Sequence, residues 1–176
     1  IMVGEVRDEE TASMAIQSSL TGHLVFSTLH TNDSAGAVSR LLDFGVEPYL
    51  VSSSLICVMA QRLVRRVCEN CKKTYKATER ELSQLGLEGS KGEFYTGSGC
   101  EKCFDTGYRG RLGIYELMAI TDDIREMVYG RQSAGVIKKK ALEQGMKTLR
   151  MDGARKVQGG LTTFSEVLRV TQADTV

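Results

Sequence analysis

Tryptophan is absent from this 176-residue chain, proline occurs once, at Pro48, and there are two histidines, His23 and His30. Aromatic residues make up 6%, and 23 Lys and Arg stand against 22 Asp and Glu, a net charge of +1. A chain this near to neutral and this poor in stacking rings has neither the field nor the platforms that nucleic-acid binding uses, so no nucleic-acid partner is expected. Long apolar runs are missing too. The longest, YLVSSSLICVMA, is about a dozen residues and is broken by serine, short of the roughly 20 that a membrane-spanning helix needs. No stretch has the build of an export signal. What the chain does have is 41% hydrophobic residues, enough to bury a sizeable core.

Four of the five cysteines fall in two C-x-x-C pairs, CENC and CEKC, at Cys68, Cys71, Cys100 and Cys103. Without an export signal, such pairs point to reduced thiolates and to metal or redox chemistry rather than to disulfides. Each pair lets a tight turn aim two sulfurs at one point, and two turns complete the tetrahedron that zinc accepts. The 28 residues between the pairs exceed the usual zinc-ribbon gap, so a looped insert has to close it. Spacing leaves an iron–sulfur cluster open, whereas a redox C-x-x-C normally stands once beside a thioredoxin-like unit. Structural zinc is the assignment, because four thiolates leave no open position for catalysis. Lys72, Lys73 and Lys102, with Arg65 and Arg66, are expected to offset the charge of the thiolates. Cys57 has no partner at motif spacing and is expected on a helix, as a core residue.

Residues 1–67 read as α/β. IMVGE has the pattern of a strand end, and DEETASMAIQSSL that of a helix capped by Asp8 and stopped at Thr21 and Gly22. LVFSTL is a continuous apolar and β-branched run, which predicts a parallel strand covered on both faces. NDSAGAVSRLLDF follows as a helix capped by Asn32 or Asp33, Pro48 opens another in PYLVSSSLICVM, and QRLVRRV alternates as a strand. Residues 68–120 form the cysteine insert and a following strand region, with Thr78 and Glu81 spaced as a capping box. Residues 121–176 predict four helices in a small bundle, the last opened by Thr163 and Glu166 as a second capping box.

In open parallel sheets, ligands collect beyond the carboxyl ends of the strands. Glu5 lies at such an end, and Ser27, Thr28 and His30 lie at the end of the next strand, so a carboxylate and an imidazole are expected at one rim. There the acid can orient a water for attack on a phosphate. His23 and His30 flank roughly 20 Å of strand and cannot share one metal.

These segments carry a specific resemblance. VGEVRDEET resembles the Walker B region, and TGHLVFSTLHTN the histidine box, of the secretion ATPases that drive type II secretion and type IV pilus assembly, the GspE and PilB group. AQRLVRRVC, the two cysteine pairs, GYRGRLGIYEL and TLRMDGARKVQGGLTTFSEVLRV follow in the same order as segments of that family. The resemblance implies a partial RecA-like P-loop NTPase sheet, with the zinc insert and helical bundle added to it. It implies catalytic roles for Glu5 and His30, and nucleotide binding or sensing by Arg7, His23, Thr28 and Arg111. ATP, Mg2+ and a structural zinc are the implied cofactors. A ring of six copies, an inner-membrane platform and other apparatus proteins are the implied partners, at the cytoplasmic face of the inner membrane. No G-x-x-x-x-G-K-[ST] string occurs in the sequence, so the chain is expected to be the C-terminal part of its motor and to hydrolyse no ATP alone. Within this group the resemblance implies ATP hydrolysis coupled to type II secretion and pseudopilus assembly, with a type IV pilus assembly or retraction ATPase as the alternative. A zinc-stabilised nucleic-acid module is the alternative of another class.

Overall fold

The computed structural model describes residues 1–90 and 92–171. The chain divides into two compact units, each built from separate stretches of the described residues: 1–60 with 117–146, and 61–116 with 147–171. This interleaving departs from a reading in three consecutive segments. The physical reason lies in β1 (Cys57–Val67) and β4 (Tyr108–Ala119), which pair with each other and pass from one unit to the other. Ile120 N donates to Ile56 O at 3.0 Å and Cys68 N to Gly107 O at 3.0 Å, so the two strands run antiparallel.

In the first unit, residues 1–6 and 23–29 run side by side in parallel. Val3 N donates to Phe26 O at 2.8 Å, Phe26 N to Ile1 O at 2.9 Å and Val6 N to Thr28 O at 2.9 Å, with one bridge, Met2 to Phe26. Between them lies α1 (Glu9–Leu20), where Asp8 accepts from Thr11 N and acids fill the first turn. The parallel pairing agrees with a strand–helix–strand unit. The expected cover on both faces does not: Leu24 and Phe26, two residues apart and so on one face, are 58% and 59% exposed, whereas Leu29 on the other face packs against the core.

Asp33, not Asn32, caps α2 (Ser34–Asp43) by accepting from Gly36 N. Pro48 opens α3 (Pro48–Ser54), which ends before the run ICVM. Of these, Cys57, Val58 and Met59 instead open β1, so Cys57 is exposed on a strand rather than buried on a helix. Three serines in a row explain the early stop, since Ser52, Ser53 and Ser54 all turn their hydroxyls back onto carbonyls of the same helix. With α5 (Asp122–Tyr129) and α6 (Ala134–Glu143), these helices enclose a core that includes Val6, Ile16, Val38, Val51, Ile124 and Ile137.

The second unit holds the antiparallel pair β2 (Lys72–Tyr75) and β3 (Phe94–Gly97), in register from Lys72 opposite Gly97 to Tyr75 opposite Phe94. Between them α4 (Glu79–Gln84) opens on the expected capping box, Thr78 with Glu81. Phe164, on α8 (Phe164–Val170), meets the edges of Tyr75 and Phe94, and Val157 of α7 (Leu149–Gln158) joins that core. Thr163 caps α8 through Glu166 N, but the Glu166 carboxylate does not return to Thr163 as the capping-box spacing predicts. It is drawn instead to Arg65 and Arg169. The four helices expected after Thr121 are all present, two in each unit, while residues 172–176 lie outside the described residues.

Candidate functional site

Two parallel segments that end together place their next residues side by side. His30 Nε2 lies 2.8 Å from Glu5 Oε2, and Arg7 Nη2 lies 2.7 Å from Glu5 Oε1. Thr28 Oγ1 donates to Gly4 O at 2.7 Å and thereby ties the ends of the two segments to one another. The Arg7 guanidinium first, and His30 second, hold the Glu5 carboxyl below its ordinary range, so it is an ionised acceptor at neutral pH. Each carboxylate oxygen still has a lone pair to offer a water. The group is therefore suited to orienting a water more than to stripping it of a proton.

The other residues singled out from the sequence stand elsewhere. His23 lies at the opposite end of its segment, where Nδ1 meets Ser18 O at 3.2 Å and Thr21 Oγ1 at 3.3 Å at the close of α1. Arg111 is exposed on β4, in the second unit, and makes no ion pair among the described residues.

In the second unit the four cysteines converge. All four sulfurs lie within 4.8 Å of one another, with Cys100 and Cys103 at 3.7 Å, Cys71 and Cys103 at 3.8 Å, and Cys68 and Cys100 at 3.9 Å. Sulfurs about 2.3 Å from a central zinc would sit on tetrahedral edges of about 3.8 Å, so the cluster has the size of a closed four-thiolate site. Cys68 and Cys103 are buried and the other two half-buried.

The turns that hold them are specific. Cys71 N donates to Cys68 O and Cys103 N to Cys100 O, one tight turn per pair. Gly97 and Gly107 bring the two turns together. A Cβ on Gly97 would lie 2.0 Å from Gly107 O, and Gly107 itself has φ +77°.

Three of the five cations expected to offset the charge of the cluster have partners other than the sulfurs. Lys72 Nζ is 3.8 Å from Glu69 and lies over the Tyr95 ring, Arg66 pairs with Glu69, and Arg65 turns to Glu166. The sulfurs receive N–H groups instead: Asn70 Nδ2 on Cys100 at 3.3 Å, and the backbone N–H groups of Cys100 and Gly107 on Cys103, both at 3.3 Å. The Asn70 amide is the main influence bringing Cys100 down to about 6, whereas burial pushes Cys71 up to about 11. Four converging sulfurs, two of them receiving N–H dipoles, form a donor set that fits a soft dication, whose binding would deprotonate the thiols. Asn70, Gly97 and Gly107 are the residues that the spacing of cysteines alone does not single out. The asparagine inside CENC and the glycines in YTGSGC and DTGYRG were the available signals.

The family model for "Type II/IV secretion system protein" matches residues 1–169. The chain belongs to this family. Among family members, the type IV pilus assembly ATPase PilB of Thermus thermophilus is 51% identical over 97% of this chain and 20% of its own length. The type II secretion system protein E of Pseudomonas aeruginosa is 49% identical over 99% of this chain and 35% of its own. The chain thus spans between a fifth and about a third of the length of these relatives. Among solved structures, the pilus retraction motor PilT with bound ADP superposes with a TM-score of 0.65 at 22% identity, covering 99% of this chain and 40% of that one. The Legionella pneumophila ATPase DotB gives 0.64 at 20%, covering 97% and 37%. The α/β fold of this family member is therefore that of the matched part of those ATPases. No helix among its described residues is long and apolar enough to cross a membrane.

Proposed function

We propose that this chain is part of a motor ATPase of type II secretion, in which ATP hydrolysis drives assembly of the pseudopilus. The observation that carries the reading is the 2.8 Å approach of His30 to Glu5 at the carboxyl ends of two parallel segments, in a member of a family of secretion proteins. Glu5 holds and polarises the attacking water, and His30 and Arg7 stand where they can exchange the carboxylate for phosphate oxygens. Thr28 fixes the rim that carries them. His23 and Arg111 are assigned to nucleotide sensing on family resemblance alone. The phosphate-loop amides and lysine, with Mg2+, come from outside this sequence, which has no such string.

Cys68, Cys71, Cys100 and Cys103 hold a structural zinc, which ties together the two cysteine turns of the second unit. Six copies form the working ring, at the cytoplasmic face of the inner membrane and against a platform protein there. A second reading, type IV pilus assembly, is favoured by the 51% identity to PilB of Thermus thermophilus. Deleting the gene in its host decides between them. Secreted enzymes retained in the periplasm support the first reading and loss of surface pili the second, while a strain that keeps both functions contradicts the motor assignment.

A further inference from the structure

The four-cysteine centre meets its charge with dipoles whose origins differ from sulfur to sulfur. Cys103 draws on backbone N–H groups, those of Cys100 and Gly107, which come with the turn itself. Cys100 is different. Among the described residues, its donor other than a neighbouring cysteine is the side chain of Asn70, at 3.3 Å. Asn70 sits inside the first C-x-x-C pair and Cys100 opens the second, 30 residues further along, so this one amide bridges the two turns. Its partner sulfur is also half-buried, where solvent supplies only part of the hydrogen bonding that a thiolate needs.

We propose that Asn70 is a positioning residue of the metal centre: its amide holds Cys100 Sγ at the fourth corner and sets how tightly the centre keeps a soft divalent ion. The inference rests on the reading of the four cysteines as a metal site. Asparagine suits the task because it offers an N–H without a charge of its own. The bond draws electron density from the sulfur without competing as a ligand. Aspartate at the same position has the same shape, reverses the dipole and adds a negative charge beside thiolates that already carry an excess of it.

The test uses the purified protein with Zn2+ or Co2+ alone as probe. Metal affinity is measured by chelator competition, the cobalt–thiolate charge-transfer band is recorded, and alkylation of each cysteine in the metal-loaded protein is followed by mass spectrometry. Asn70→Leu is expected to weaken binding about 10-fold and Asn70→Asp about 100-fold. In both, Cys100 alkylates faster than in the parent and the cobalt band shifts. Glu101→Gln, an exposed change beside the same cysteine, stays within about twofold of the parent. Because Asn70→Asp preserves the side-chain volume, it carries the test if Asn70→Leu fails to fold. Affinities within twofold of the parent in both variants, with the order of alkylation unchanged, overturn the role of Asn70 while leaving the metal site standing. A parent that binds no metal at one ion per chain overturns the metal site and this role with it.

Discussion

Arg65 reaches across 101 residues of sequence to Glu166, donating both its backbone N–H and its guanidinium to the carboxylate at 2.8 Å. Arg169, one turn along α8, closes the other side at 2.9 and 3.1 Å, and the Glu166 side chain is 1% exposed. Arg65 also lies 4.1 Å from the centre of the Tyr108 ring, whose hydroxyl meets Thr163 Oγ1, the cap of the same helix. A strand end, a ring and a helix cap are thus locked through one carboxylate.

Acid is expected to undo this lock. Burial alone would raise the Glu166 pKa, but hydrogen bonds from Arg169 and Arg65 outweigh it and bring the group from 4.5 down to about 2. A carboxyl with a depressed folded pKa lends stability that is complete above its unfolded value and fades as pH falls through the folded one. Denaturation midpoints should therefore drop between about pH 4.5 and 2, and Glu166→Gln should flatten that limb. An equally steep acid limb in the variant would remove Glu166 from the account.

Arg65→Ala leaves the buried carboxylate with Arg169 as its remaining guanidinium. Loss of a hydrogen bond to a buried charge costs about 1.5–3 kcal/mol, and loss of the contact with Tyr108 adds about 0.5 kcal/mol. Urea denaturation is the measurement, with a decrease of about 2–3.5 kcal/mol expected. Arg66→Ala, whose partner Glu69 is exposed, should cost about 0–1 kcal/mol.

Gly97→Ala tests the close approach of the cysteine turns. The added Cβ would meet the Gly107 carbonyl at 2.0 Å, and backbone on both sides has no rotamer by which to yield. Loss of bound metal and of about 3 kcal/mol or more is expected. Gly110→Ala has a positive φ but open space, and should cost about 1 kcal/mol with metal retained. Elemental analysis and thermal denaturation of the two variants, side by side, check the contrast.

Cys103→Ser removes a buried ligand. Metal content should fall from one ion per chain to near zero, with more than about 4 kcal/mol of stability lost, as befits a closed structural site. A chelator that strips the parent should reproduce the same melting curve. Retained metal in the variant would show that Cys103 is not among its ligands.

What the sequence makes legible here is what depends on near neighbours. Asp8, Asp33, Thr78 and Thr163 each cap the helix that follows them, because a cap is decided within three residues. The cysteine turns are local in the same way. Glu5 and His30 meet because a strand–helix–strand order returns the chain in parallel, so that the residues after each segment share a rim. Distance along the chain defeats the rest. Glu166 has the spacing of a capping box, yet two arginines offer a buried carboxylate more than the Thr163 N–H does. Cys57 follows an apolar, serine-broken run that satisfies a helix or a strand equally, and pairing with β4 decides for the strand. Leu24 and Phe26 declare themselves apolar, but no periodicity says what covers them.

The most direct measurement is ATP turnover by the full-length protein carrying this chain, with Glu5 intact and as Glu5→Gln. The prediction is a fall in kcat of about 10²–10⁴-fold with KM for ATP held within a few-fold, since the substitution removes the water-orienting carboxylate and spares nucleotide binding. A Glu5→Gln protein that turns over ATP at the parent rate would contradict it.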